Sequence, residues 1–196
     1  MRLPGLVLAT WLIMALAGVM PWLEPNRVSL PEIFMLPSTA HWLGTDELGR
    51  PVLDRLLSGA GVSLLVALTT VVVSAVIGIT VGLTAGYFGG LTDRVISRLI
   101  EVFLAFPGML LAIAMAAMIG PGIDNVIIAL ATMGWVGYAR LVRVQVLSLR
   151  EREHVLAAIA LGRTDLAIMR RHLLPLVMAP VWVEASFGVA GAVVAE

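Results

Sequence analysis

The chain has 196 residues, of which 60% are hydrophobic and 13% charged, and its formal net charge at pH 7 is zero. This composition, with a mean hydropathy of +0.99, is typical of a membrane protein, and the neutral charge gives no global signal for binding nucleic acid. The sequence has no cysteine and no lysine, which excludes a disulfide framework, a thiolate zinc site and the lysine-containing phosphate loop of ATP-hydrolysing proteins.

Five stretches are apolar over a length that can cross the bilayer, whose ~30 Å core needs about 20 helical residues. They are residues 3–23, 62–87, 102–123, 125–139 and 176–195. The fourth stretch is short and spans only if Asp124 and Arg140 lie at the two interfaces. The sequence therefore predicts an all-α membrane protein, a polytopic bundle of transmembrane helices.

The first apolar stretch has two interpretations. Arg2, the apolar run and Ala15-Leu16-Ala17 resemble a secretory signal peptide with its cleavage site. Because four more spans follow, a retained anchor is the simpler account. We therefore place an N-terminal transmembrane helix in residues 1–23, an extracytoplasmic loop in 24–58 and the main transmembrane domain in 59–196.

The arginines predict the orientation of the chain in its membrane. With the N-terminus inside, only Arg27, Arg50 and Arg55 lie outside, and the other ten of the 13 positive charges are cytoplasmic. Positive side chains are retained on the cytoplasmic side of spans. We therefore expect a multi-pass protein with a cytoplasmic N-terminus.

The outer loop carries His41, Asp46 and Glu47, which admit two interpretations. They could form a metal cluster. Alternatively, Asp46 satisfies backbone donors in the turn before the helix that Pro51 opens, since aspartate is a common capping residue and proline suits a first turn. We favour the turn, and predict no metal site.

Small residues recur at every fourth position along the second apolar stretch. They are Thr70, Ser74, Gly78, Gly82, Gly86 and Gly90. A face with so little side chain lets two helix backbones approach closely, although glycine is also common in membrane helices in general. The regular spacing favours a helix-packing face.

The segment 150–175 is too polar to span and too apolar to be a tail. A small-residue-rich helix is predicted to end at Gly162 in the left-handed conformation. Asp165, preceded by Thr164, would begin a second short helix, and Leu174-Pro175 would stop it. The alternative is an amphipathic helix pair that lies on anionic lipid headgroups.

The same segment resembles the EAA loop of binding-protein-dependent ABC importer permeases. Two alanines, a glycine and a terminal Leu-Pro have the family's spacing, in the order Ala157, Ala158, Gly162, Leu174 and Pro175. Leu156 stands where the family usually has glutamate. Residues 41–64 and 134–158 are also similar to the dipeptide, oligopeptide and nickel permeases, which have a MetI-like transmembrane domain.

This resemblance implies an ATP-driven importer subunit that has no cofactor and catalyses no bond chemistry itself. Its implied partners are a second permease, two cytoplasmic ABC ATPases, an extracytoplasmic substrate-binding protein and the lipid of a bacterial plasma membrane. The EAA loop, including Asp165, would dock on one ATPase and couple its closure to transport. The family usually has one further helix, which this sequence lacks, so we expect the natural polypeptide to be longer.

Glu184 lies inside the last apolar stretch and is a candidate for the transport pathway or a helix contact; the alternative places it near the headgroups. The predicted cargo is a di- or oligopeptide, with nickel or a nickel chelate as the second candidate. An ion-driven secondary transporter would need paired intramembrane carboxylates or broken helices at matching points of two halves. A non-transporting assembly subunit would leave the EAA segment without a purpose.

Overall fold

Residues 3–196 of the protein are described in a computed structural model. Their regular structure is helical apart from a single bridge between Thr45 and Pro51. The helices are α1 (Leu3–Ala17), α2 (Val52–Phe88), α3 (Gly90–Leu104), α4 (Gly108–Ile119), α5 (Ile123–Leu149), α6 (Glu153–Ala160), α7 (Asp165–Ile168) and α8 (Leu174–Ala195). A short 3-10 helix covers Leu30–Glu32, and a π-helical turn covers Met169–Leu173. The chain divides into two compact units at Leu65 and Val66.

In the first unit, Asp46 organises the turn that precedes α2. Its Oδ1 accepts hydrogen bonds from the backbone N–H groups of Leu48 and Arg50, each at 2.9 Å, and its Oδ2 accepts from the guanidinium groups of Arg50 and Arg55. Burial alone would raise the pKa of Asp46, but these donors stabilise the carboxylate and hold its pKa well below the usual range. The prediction that Asp46 satisfies backbone donors in the turn before α2 is confirmed.

Among residues 3–196, three helical segments are long and apolar enough to cross a membrane: Val52–Phe88, Ile123–Leu149 and Asp165–Ala195. These contain the second, fourth and fifth predicted spans. The first predicted span is shorter in the structure, because α1 ends at Ala17.

The third predicted span, residues 102–123, is wrong as a single helix. It is divided between α3 and α4, which are bent by 81° relative to each other. The break falls at Pro107, which has no N–H to donate and disfavours helical geometry in the residue before it. If the bent pair counts as one span, the described residues contain four spans of sufficient length.

In the second unit, the small-residue face of α2 packs against α5. A Cβ atom added at Gly78 would lie 2.6 Å from the Trp135 carbonyl oxygen, and one at Gly82 would lie 2.6 Å from the Ala139 carbonyl oxygen. The same contact continues one turn later, where a Cβ at Gly86 would lie 2.7 Å from Cβ of Val146. We call the contact made by Gly78, Gly82 and Gly86 the glycine seam.

Gly90 does not belong to the glycine seam, so its assignment to the packing face is wrong. The seam's helix ends at Phe88, and Gly90 is the first residue of α3. Gly90 is exposed, has a φ of +55°, and a Cβ there would meet nothing within 4 Å. A spacing of four residues places side chains on one face only within a continuous helix, so it does not bring Gly90 to the face that carries Gly78, Gly82 and Gly86.

Candidate functional site

Residues 153–168 form two short helices joined by a glycine turn. After α6, the N–H of Gly162 donates to the Ile159 carbonyl at 2.9 Å and the N–H of Arg163 donates to the Ala158 carbonyl at 3.1 Å. These paired bonds are the Schellman end of a helix, which requires a left-handed residue. Gly162 supplies it with a φ of +70°, as predicted.

The second helix, α7, begins where the sequence indicated. Thr164 is its N-cap residue, and the Thr164 hydroxyl oxygen accepts from the N–H of Ala167 at 3.4 Å. Asp165 occupies the first helical position, where the positive end of the helix dipole stabilises its carboxylate.

Leu174 and Pro175 do not stop the helix, so that part of the prediction is wrong. The chain stays helical from Asp165 to Ala195 and passes through the π-helical turn Met169–Leu173. A proline in a helix interior removes one hydrogen bond and its ring collides with an earlier carbonyl, whereas the first turn of a helix tolerates it. Pro175 lies in the first turn of α8, directly after the π-helical turn. The glycine turn and α8 are therefore connected by continuous helix.

The inner side of α6–α7 is fixed to the helices of the second unit. Val155, Ala158, Ile168 and Leu173 are buried. They share one apolar core with residues of α5 and α8, namely Val142, Val146, Leu149, Val177 and Val181. This anchoring makes α6 and α7 a firm extension of the helix bundle.

The outer side of the same helices leaves apolar residues exposed. Leu161 is 81% exposed and Leu166 70% exposed, and a Cβ added at Gly162 would meet nothing within 4 Å. We call the exposed apolar set the coupling surface; its members are Leu156, Ala157, Ile159, Leu161, Gly162 and Leu166. Four exposed arginines lie beside it in the sequence: Arg152, Arg163, Arg170 and Arg171.

The sequence predictions therefore divide between these two sides. Ala157 and Gly162 lie on the coupling surface, whereas Ala158 is buried in its base. Leu174 is partly buried, and Pro175 is exposed in the first turn of α8. Leu156, which stands in the glutamate position, is half exposed.

Asp165 connects this segment to the end of α2. The hydroxyl of Tyr87 donates a hydrogen bond to Asp165 Oδ1 at 2.7 Å. Nearby in the chain, Arg150 Nη1 donates to the Gly86 carbonyl at 3.3 Å. Two contacts therefore join the C-terminal end of α2 to the segments on either side of α6.

An ion pair joins α3 to α5. The guanidinium of Arg143 donates two hydrogen bonds to the Asp93 carboxylate, one of them from Nη2 at 2.7 Å. Neither the Arg143–Asp93 pair nor the hydrogen bond of Tyr87 is indicated by the sequence. Nothing local to Tyr87 in the sequence indicates a partner 78 residues away.

Glu184 lies near the middle of α8, ten residues after its start at Leu174 and eleven before its end at Ala195. It lines a cavity of about 840 Å³ together with residues of α2, α4 and α5. Glu184 therefore lies away from both ends of α8 and faces the cavity lining.

A profile of the family described as "Binding-protein-dependent transport system inner membrane component" matches residues 78–196, which is more than half of the chain. The chain belongs to this family. The match covers the glycine seam, α6–α7 and the cavity residues of α4, α5 and α8.

Curated permease proteins resemble the chain over 84–100% of its length. A dipeptide transport system permease protein of Bacillus subtilis (strain 168) is 40% identical over 200 residues, which cover 100% of this chain and 62% of the relative. A putative peptide transport system permease protein of Brucella suis is 41% identical, covering 98% of this chain and 65% of the relative. A glutathione transport system permease protein of Escherichia coli O6:K15:H31 is 40% identical, covering 84% and 55%. The chain thus spans between about half and two thirds of these relatives.

Proposed function

We propose that this chain is a permease subunit of an ATP-driven importer of short peptides, and that the coupling surface is where a cytoplasmic ATPase docks. The observation that carries the proposal is the contrast across α6–α7. Its inner residues are buried in the bundle core while Leu161 and Leu166 stay exposed. An exposed apolar patch flanked in the sequence by exposed arginines is consistent with a protein-binding site.

The proposed machine contains a second permease, two ABC ATPases and an extracytoplasmic substrate-binding protein. The proposed topology places the N-terminus and the coupling surface in the cytoplasm and residues 24–58 outside, in a bacterial plasma membrane. The arginine distribution, ten inside and three outside, supports this arrangement. A reporter fused after Arg152 should be cytoplasmic and one fused within residues 25–37 external.

In this proposal, closure of the ATPases moves α6 and α7, and the movement passes into α8 and α2. Continuous helix from Asp165 to Ala195 provides one connection. The Tyr87–Asp165 hydrogen bond provides the other. Rigid, packed elements with fixed connections are what transmits such a displacement.

Short peptides are the proposed cargo because the relatives described above are named as dipeptide, peptide and glutathione permeases. Nickel, the second candidate from the sequence, is not in those names. An ion-driven secondary transporter is a weaker proposal, since it does not use the coupling surface.

Replacing Gly162 by valine tests the docking role. At a φ of +70° a β-branched residue is strained, so the turn and the coupling surface should be distorted while the bundle core is left alone. We expect normal membrane insertion and a loss of ATPase co-purification from detergent extracts. Gly162→Asn is the matched control, because asparagine tolerates the left-handed conformation.

Leu156→Glu is the complementary variant, because it installs the residue usual in the family at an exposed site. It should preserve recruitment or improve it slightly. Unchanged recruitment and unchanged ATP hydrolysis in the Gly162→Val variant would show that this segment does not couple ATP to transport.

A further inference from the structure

The cavity beside Glu184 has the size of a small-molecule site. Its volume is about 840 Å³, within the range of roughly 300–1,000 Å³ that ligand pockets occupy. Its walls come from α2, α4, α5 and α8, and most of them are apolar, including Met109, Ile113 and Met133. A polar group in this apolar lining is therefore unfavourable unless it has a polar partner.

Three lining residues carry buried hydroxyl groups, and these have no hydrogen-bond partner among the described residues. They are Thr70 and Ser74 on α2 and Tyr138 on α5. Each residue is at least nine-tenths buried. A buried hydroxyl without a partner is unfavourable, so each of the three favours a polar partner.

Glycines make room for these polar atoms. A Cβ at Gly134 would lie 2.4 Å from the Ser74 hydroxyl oxygen, and one at Gly188 would lie 2.7 Å from the Tyr138 hydroxyl oxygen. A Cβ at Gly137 would lie 3.2 Å from Glu184 Oε1. The three polar side chains therefore lie close against glycine backbone of the neighbouring helices, where any larger residue would collide with them.

The cavity is acidic and has no basic side chain of its own. Its lining residues, all within the described part of the chain, include Glu184 and Glu196 but no arginine or histidine. A carboxylate within a membrane-spanning helix is costly without a counter-charge and marks a substrate or ion path by default. The complementary ligand group is therefore a cation.

We propose that this cavity is the part of the passage that receives the amino-terminal end of a short peptide, with Glu184 as counter-ion to its α-ammonium group. The hydroxyls of Thr70, Ser74 and Tyr138 then offer donors and acceptors to the adjoining amide as the helices separate. The inference rests on the proposed function for its cargo. The apolar remainder of the lining accommodates side chains of different shapes.

The absence of cysteine from the sequence makes the cavity accessible to a direct test. Ala116→Cys places a thiol in the lining of α4, and Ala117→Cys places one at the next, exposed position, which is outside the lining. Both are made in the complete transporter in membrane vesicles. Modification of this chain by cationic and anionic methanethiosulfonate reagents of similar size is then followed by mass spectrometry.

We expect the cationic reagent to modify Ala116→Cys about tenfold faster than the anionic one, because a cleft lined by one charge concentrates counter-ions. Adding Glu184→Gln to Ala116→Cys should remove most of this preference for the cationic reagent. At Ala117→Cys, the ratio of the two rates should be the same with and without Glu184→Gln. Alanyl-alanine at millimolar concentration should slow the cationic reaction more than N-acetyl-alanyl-alanine does.

Three results would overturn the proposal. One is equal rates for the two reagents at Ala116→Cys, and another is equal protection by the free and acetylated peptides. The third is an unreactive Ala116→Cys beside a reactive Ala117→Cys, which would mean that protein fills the cavity. ATPase co-purification in the same membranes reports separately on the proposed function, so failure of one is distinguishable from failure of the other.

Discussion

The glycine seam and the coupling surface both consist largely of small or apolar residues, but the seam is packed against α5 and the coupling surface is exposed. At Gly82 an added Cβ would lie 2.6 Å from a backbone oxygen of α5, so the site is already filled. At Gly162 an added Cβ would meet nothing within 4 Å. The seam is complete within this chain, whereas the coupling surface is open.

This difference separates two effects of substitution. A larger residue in the seam must push α2 and α5 apart, and in lipid the close contact of backbones is what holds such helices together. Apart from the left-handed Gly162, a position on the coupling surface should accept a larger or charged residue with an effect only on what binds there. Stability should therefore report on the seam and recruitment of a partner on the coupling surface.

The largest effect is expected for Gly82→Leu. The new side chain has no room against the Ala139 carbonyl oxygen and Val142, and overpacking costs about 1–3 kcal/mol or more. The amount of folded protein in the membrane should fall by roughly fivefold or more. Western blotting of membrane fractions and thermal unfolding in detergent measure it.

Gly59→Leu is the matched control for the seam. Gly59 is exposed on the same helix, and a Cβ there would meet nothing within 4 Å. The control should accumulate like the parent protein. Equal stability of the two variants would mean that the seam contributes nothing to folding.

The next effect is expected for Leu161→Asp on the coupling surface. A charge in the centre of an apolar contact should weaken ATPase binding by about 2 kcal/mol, which is about 30-fold in affinity. Because Leu161 is 81% exposed, the unfolding temperature of the permease should not change. Titration of detergent-solubilised permease with the ATPase measures the affinity.

Val155→Ala gives the opposite pattern and sharpens the comparison. Val155 is fully buried in the base of α6, so losing its two methyl groups should cost about 2 kcal/mol of stability. The folded fraction should still bind the ATPase. Lost stability for Leu161→Asp, or unchanged stability for Val155→Ala, would break the distinction between the two sides of α6–α7.

The smallest effect is expected for Tyr87→Phe, which removes the hydrogen bond to Asp165 and little else. Recruitment of the ATPase should be normal, but hydrolysis stimulated by the loaded binding protein should fall by about fivefold, corresponding to a bond of about 1 kcal/mol. Asp165→Asn keeps an acceptor for Tyr87 and should be milder. Full stimulation in Tyr87→Phe would exclude this hydrogen bond as a link between α2 and the coupling surface.

Features set by a few adjacent residues were predictable from the sequence. The left-handed turn at Gly162 and the start of α7 after Thr164 follow from backbone freedom and capping, which are local properties. The outer turn at Asp46 is of the same kind. The apolar stretches of α2 and α8 were also predictable as membrane-spanning helices, because the thickness of the bilayer sets the length that such a helix needs.

Features that depend on a distant neighbour were not predictable. The π-helical turn Met169–Leu173, which joins α7 to α8, has no local signal in the sequence. Gly90 continues the spacing of the seam but lies after the end of α2. Periodicity likewise could not distinguish the buried Ala158 from the exposed Ala157, or indicate that Tyr87 meets Asp165.

The central claim is that the coupling surface contacts an ATPase, and site-specific photo-crosslinking tests it most directly. A photoreactive amino acid replaces Leu161 in the complete transporter, and another replaces Val72, which is exposed on α2 outside the coupling surface. The account predicts a permease–ATPase adduct from position 161 and none from position 72. Adducts with lipid alone at position 161 would instead place α6 and α7 on the membrane surface and contradict the claim.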